Sequence, residues 1–241
     1  MVTNAHMNTS AHPRMRVAPR RYVTRRRARR AGTLVLASVA AALAVLAVLV
    51  VGLWSVPAAD AGADTDGAGD VSTPRSEWRA GEVPYLYQTD PAWADHPYAG
   101  GTVEKNGCGP TCLSMVYVAL TGRGDLDPAG MADLSERGGH TSGGMTSWTL
   151  MTDGAAELGL SSEELPADAD AVREALRSGR PVICSVRPGD FTTTGHFIVL
   201  AGMTEGDQVI VRDPNSAERS SHPWDLERVL GQCANLWTFS A

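Results

Sequence analysis

Acidic side chains are missing from residues 1–54, where nine arginines leave a charge of +9. Basic residues are scarce in the remainder, which holds 12 against 27 acids, or −15. The overall charge of −6 therefore averages two unlike pieces. So little positive charge in the larger piece argues against nucleic acid as a substrate, because phosphates would be repelled. No charge occurs from Ala31 to Trp54, no cysteine precedes Cys108, and there is no internal repeat.

The uncharged run is mostly Ala, Val and Leu. Its 24 residues would span about 36 Å as a helix, slightly more than a hydrocarbon core. Arginines 14 to 30 stand immediately before it, and basic flanks stay on the cytoplasmic side. The expected organisation has four parts. Residues 1–30 form a cytoplasmic Arg-rich tail, and 31–54 a transmembrane anchor with Trp54 at the outer interface. Residues 55–76, rich in Ala, Asp, Gly and Ser, form a flexible acidic linker, and 77–241 the compact domain. The rival for the second part is a signal peptide cleaved near Ala59-Asp60-Ala61. Either way the acidic domain is exported, to a single-pass position outside the membrane or to the medium.

All four cysteines (Cys108, Cys112, Cys184, Cys233) lie in that domain, where disulfides can persist. Two structural bridges are one reading. If Cys108 is a working thiol, at most one bridge can form.

Hydrophobic period and punctuation predict helices over Pro110–Leu120, Pro128–Arg137, Ser147–Leu158 and Asp168–Ser178. The Val83–Tyr87 segment reads as a short strand or an extended entry. Short β-branched runs follow: Pro181–Val186, His196–Gly202 and Gln208–Arg212. A helix over Trp224–Leu230 and a strand over Leu236–Phe239 complete the chain. Helices come first and an antiparallel sheet follows, an α+β arrangement in two halves.

Cys108 lies in Asn106-Gly107-Cys108-Gly109-Pro110-Thr111, just ahead of a predicted helix. The helix N-terminus favours a thiolate, and glycines on both sides leave room for a substrate backbone. A nucleophile and a structural thiol or half-cystine both fit that segment. A nucleophile needs a base. His96 and His222 stand beside prolines, and His140 lies in a Gly-rich loop. His196 opens a strong strand, which would aim its ring.

A hairpin folding about Thr204 and Glu205 pairs residues whose numbers sum to about 409, which sets Asp213 across from His196. The carboxylate could then hold one ring nitrogen while the other faces Cys108. The plain alternative for Asp213-Pro214-Asn215 is an ordinary turn at a strand end. Cys108 and Cys112 with His140 or Cys184 also fall within loose zinc spacings, but a CxxxC without a second cluster carries little. No metal or cofactor is expected.

Six segments in order, PYLYQTDPAW, NGCGPTCLSMV, TSWTLMTDGAAELGL, SGRPVICSV, GHFIVLAG and VIVRDPN, resemble the papain-like cysteine peptidases of the bacteriocin-processing type, specifically the C39-like group. They span roughly residues 83–215. The resemblance implies a papain-like fold with a Cys helix packed against a sheet carrying the His and Asp. It implies Cys108 as nucleophile, His196 as general base, Asp213 as its orienter, Gln88 as oxyanion donor and Trp93 as a packing residue. Cys112 is not required by the pattern. No transporter is attached, so leader processing does not carry over.

The expected function is thus an extracytoplasmic, monomeric cysteine peptidase acting on peptide or protein. The alternatives are an amidase or isopeptidase acting on cell-wall or other unusual amides, and a non-catalytic surface-binding module on the same fold.

Overall fold

The computed structural model describes residues 70–241. The Arg-rich tail, the apolar span and the linker as far as residue 69 lie outside the described residues. Among the described residues no helix is long and apolar enough to cross a membrane.

Residues 70–76, placed in the linker by composition, are bound to the domain. The Asp70 carboxylate accepts from the Ala217 N–H at 2.9 Å. The Ser72 N–H donates to Asp90 at 2.9 Å, and the Thr73 N–H to the Tyr85 carbonyl at 2.7 Å. The polar composition that suggests a solvated tether here supplies acceptors and donors for a docked segment.

The chain next makes a small hairpin, β1 (Pro97–Tyr98) with β2 (Gly101–Thr102), and then α1 (Val103–Asn106), α2 (Cys108–Thr121) and α3 (Pro128–Arg137). A second small hairpin joins β3 (Thr141–Ser142) to β4 (Met145–Thr146). A π-helical turn over Leu150–Gly154 runs into α4 (Ala155–Glu157). There follow β5 (Ser161–Leu165), α5 (Ala169–Arg177), β6 (Val182–Val186), β7 (His196–Met203), β8 (Val209–Arg212), α6 (Ala217–Ser220), α7 (Leu226–Leu230) and β9 (Cys233–Ser240).

The long helices form where expected, and their ends show why. Asp127 and Asp168 accept from the N–H groups of Gly130 and Ala171 at the starts of α3 and α5. Gly122 ends α2 in the left-handed region at φ 69°, as a C-terminal glycine does. Helix α2 begins two residues earlier than predicted, at Cys108. Pro110 is tolerated in the first turn, where its missing N–H has no partner to lose. Gly109, having no Cβ, relieves the clash that otherwise steers a residue before proline out of helix.

Five strands form one antiparallel sheet in the order β5-β9-β6-β7-β8. Both faces are covered, so the strands read as continuous apolar runs rather than alternating ones. One face presents Ile183, Phe197, Val199, Trp237 and Phe239 to α2, α3 and the π turn. The other presents Val182, Cys184, Ile198, Leu200 and Leu236 to α5 and α7. The expected two halves are therefore three layers, with β5 and α5 interrupting the division into helices and then sheet. From Gly109 to Ala119 every residue of α2 is buried. Each large apolar side chain so enclosed contributes about 1.5–3 kcal/mol.

Strand β5 was not expected. Its Ser-Ser-Glu-Glu-Leu sequence has no apolar alternation, because it lies at the sheet edge, where charges discourage pairing with another chain.

Candidate active site

Cys108 stands at the first position of a helix that is buried from Gly109 to Ala119, which fixes its Cα against the sheet. The glycines around it make room for the protein itself, not for substrate. A Cβ on Gly107 would stand 2.5 Å from the Val103 carbonyl oxygen, and one on Gly109 would stand 2.5 Å from Thr146 Cγ2. The expectation of open space for a substrate backbone is therefore corrected: helix α1 and the β3–β4 hairpin fill it. The hairpin was legible in principle, since Ser142-Gly143-Gly144-Met145 places two glycines at the turn, both with positive φ.

His196 opens β7, and its Nε2 lies 2.7 Å from Asp213 Oδ1. The predicted contact is present, but the predicted register is not. Val199 pairs with Arg212 and Leu200 with Val211, a sum of 411, and a bulge then shifts the pairing so that Met203 meets Val209. The turn is centred later than Thr204 and Glu205, and Asp213 lies just beyond the end of β8. It reaches His196 diagonally rather than from directly across, and a carboxylate spans that extra distance.

Asp213 is 1% exposed, and its carboxylate accepts two further hydrogen bonds. Asn215 N–H donates to Oδ1 at 2.8 Å, and Arg219 Nε–H donates to Oδ2 at 2.6 Å. Its own N–H is held by Ser220 Oγ at 2.9 Å. Arg219 and Ser220 were missed from the sequence. Nothing in their spacing marks them, because only the tight turn at residues 213–216 and the short helix α6 bring them back to the carboxylate.

Charge accounting follows from this geometry. Burial opposes ionisation of Asp213, but the hydrogen bond and charge of His196 and the Arg219 guanidinium outweigh it and lower its pKa. Burial likewise opposes a charged His196, yet hydrogen bonds to Asp213 and Cys108 raise its pKa to about 9. Burial would raise the Cys108 thiol, but the hydrogen bond and charge of His196 and the N–H groups of Phe197 and Gly109 bring it below its ordinary value. Those three directions together favour a thiolate–imidazolium pair over a neutral thiol and imidazole. With Nε2 held by Asp213, Nδ1 is the ring nitrogen available to the sulfur.

The other cysteines do not share this environment. Burial pushes the Cys112 and Cys184 thiols well up. All four cysteines are free, so neither of the possible bridges is present. The remaining histidines of the domain lie elsewhere: His96 on Asp133, His140 buried on Thr149, and His222 beside Glu218. Among the described residues no three His, Cys, Asp or Glu side chains converge as a metal ion would require.

Gln88 is buried between the Asp213-Pro214 turn and the approach to Cys108. Its N–H donates to the Pro214 carbonyl at 2.7 Å, and its Nε2 to the Glu104 carbonyl at 2.6 Å. The side-chain carbonyl Oε1 is buried without a partner. Gln88 does not line the cleft around Cys108. Trp93 is a packing residue, with its ring buried and its Nε1–H donated to the Tyr87 carbonyl at 2.7 Å.

Cys108 and His196 open into a cleft of about 520 Å³. Trp148, Met145, Thr146, Phe197, Ser185 and Lys105 are among its walls.

A partly exposed cysteine at a helix start and a buried, carboxylate-held histidine on an antiparallel sheet, both lining one cleft, are arranged as a cysteine peptidase would need them. The Peptidase_C39 like family model matches residues 81–238, and the chain belongs to that family. It is thus a cysteine-type peptidase of mixed helix and sheet. Among solved structures it is similar to the peptidase domain of Streptococcus ComA, described as a bi-functional ABC transporter involved in a quorum sensing pathway. The identity is 21%, the TM-score 0.43, and the match covers 56% of this chain and 92% of that one. No curated protein matches the chain.

Proposed function

We propose that the chain is an extracytoplasmic cysteine peptidase, tethered through residues 31–54, that hydrolyses peptide amide bonds at Cys108 with His196 and Asp213. The observation that carries this reading is the His196 ring, held by Asp213 at 2.7 Å on one nitrogen and coupled to the Cys108 sulfur on its other side. The Cys108 thiolate attacks the scissile carbonyl, forming a C–S bond and an oxyanion. The C–N bond then breaks as the imidazolium gives its proton to the leaving amine. Water attacks the thioester with His196 taking its proton, the acid leaves, and the thiolate–imidazolium pair is restored.

The Cys108 N–H and the Gln88 amide are the oxyanion donors in this reading. Gln88 does not line the cleft, so this role requires its Nε2, which donates to the Glu104 carbonyl, to turn toward Cys108 as substrate binds. The nine arginines immediately before the uncharged run support an outward orientation of the domain.

The test compares wild type with Cys108→Ala on a peptide library. A cleavage preference present only in wild type is expected; equal turnover by the variant overturns the assignment. Exposure of the domain to protease added outside intact cells tests the orientation.

A further inference from the structure

The domain from residue 70 onward holds 24 acids against 12 basic residues, yet no carboxylate lines the cleft around Cys108. The charged groups that do line it are His196 and Lys105. Lys105 is the sole lysine in the chain. It lies in α1, three residues before the sulfur, and is exposed.

Arg137, Arg187, Arg212 and Lys105 are the described basic residues without an ion partner, and of these only Lys105 lines the cleft. Of the eleven arginines in the described residues, Arg75, Arg79, Arg123, Arg173, Arg177, Arg180, Arg219 and Arg228 face a carboxylate. Arg212 lies over the Tyr85 ring at 3.8 Å. Lys105 has no carboxylate within ion-pair distance among the described residues. Glu104 is its chain neighbour, but it is not a cleft residue. The field of an acidic protein repels anions generally, so an unpaired ammonium on the wall of the reactive cleft, beside the His196 imidazolium, focuses them there.

The flank of the cleft is apolar and held in place. Met145 and Trp148 are two of the four exposed large hydrophobic side chains among the described residues, and both line this cleft beside Phe197. The Trp148 indole N–H donates to Ser185 Oγ at 3.3 Å, and its ring meets Trp237 edge-on at 5.5 Å. A ring fixed on two sides offers its free face without losing rotamer freedom on binding.

We propose that Lys105 is a specificity-determining residue that binds a carboxylate of the substrate, so that the preferred substrates are anionic peptides with an apolar side chain against Trp148 and Met145. This inference rests on Cys108 being the nucleophile.

The test uses two small alkylating reagents that differ in charge, iodoacetate and iodoacetamide. The reading is the ratio of their rates at Cys108 in the full chain, so general damage to the site cancels. Lys105→Gln should lower the iodoacetate preference roughly 2- to 5-fold, the range of a partly exposed charge pair. Lys105→Glu should lower it further. Because the chain has one lysine, acetylation of its amine, which removes the charge, should act like Lys105→Gln. Reductive dimethylation, which keeps the charge, should leave the ratio intact.

In peptide cleavage, a glutamate-for-glutamine exchange in the substrate should raise kcat/KM for wild type and not for Lys105→Gln. A ratio unmoved by both Lys105→Gln and acetylation overturns the proposal while leaving the nucleophile in place. Failure of either reagent to modify Cys108 at neutral pH overturns the underlying reading, and the proposal with it.

Discussion

Replacing Asp213 by asparagine changes one atom and reorders the site. All three side-chain contacts of the carboxylate are donors: His196 Nε2–H and Asn215 N–H on Oδ1, and Arg219 Nε–H on Oδ2. Asparagine has one acceptor oxygen and two N–H groups. If its oxygen keeps His196 and Asn215, its NH₂ faces the Arg219 donor. If it turns over, the NH₂ meets both His196 and Asn215, and the imidazole must offer Nε2 as acceptor with its proton on Nδ1.

Either outcome removes the charge that helps raise the His196 pKa to about 9. Full return to the ordinary 6.5 would cost about 3 kcal/mol of preference for imidazolium, or on the order of 10² in the ion-pair population. Loss of the correct tautomer brings the expected fall in kcat to about 10²–10⁴-fold. Leaving Arg219 and His196 without their anion also costs stability, on the order of 3–5 kcal/mol. The assay is the pH dependence of Cys108 alkylation by iodoacetamide alongside peptide turnover, with circular dichroism confirming the fold. In wild type the reactive thiolate should persist below the ordinary cysteine range, and in Asp213→Asn its onset should move up in pH. An onset and a turnover unchanged in a folded variant would refute the triad.

Three further outcomes follow from the same geometry. Peptide turnover should rise with pH below the ordinary thiol value of 9.0, as Cys108 ionises. It should fall near pH 9 as His196 loses the proton it donates; a rate still climbing beyond pH 9 would contradict the ion pair. Gln88→Ala should lower kcat by about 10²–10³ with less effect on Cys108 alkylation, and an equal loss in both would reassign Gln88 to holding Glu104 and Pro214. Gly109→Ala drives a Cβ to 2.5 Å from Thr146 Cγ2, a short stiff side chain. It should cost about 1–3 kcal/mol, seen as a Tm lower by roughly 2–10 °C, whereas an unchanged Tm would show that the β3–β4 hairpin moves freely.

Local chemistry was readable in the residues because it depends on near neighbours. A proline two positions after Cys108, a glycine at 122 and aspartates at 127 and 168 mark helix ends through bonds spanning three or four residues. The run His196–Leu200 announces a buried strand, and its closeness to Asp213 along the chain made their contact foreseeable. The contact survived a register error of two because a histidine and a carboxylate reach along a diagonal. What lay further off was decided only by folding. The bulge in β7, the edge position of β5, and the return of Arg219 and Ser220 to Asp213 depend on how separate segments pack, and no short-range pattern encodes that. The glycines beside Cys108 show the same division. Their presence was plain in the sequence, but only the tertiary structure shows that Val103 and Thr146 occupy the space they leave.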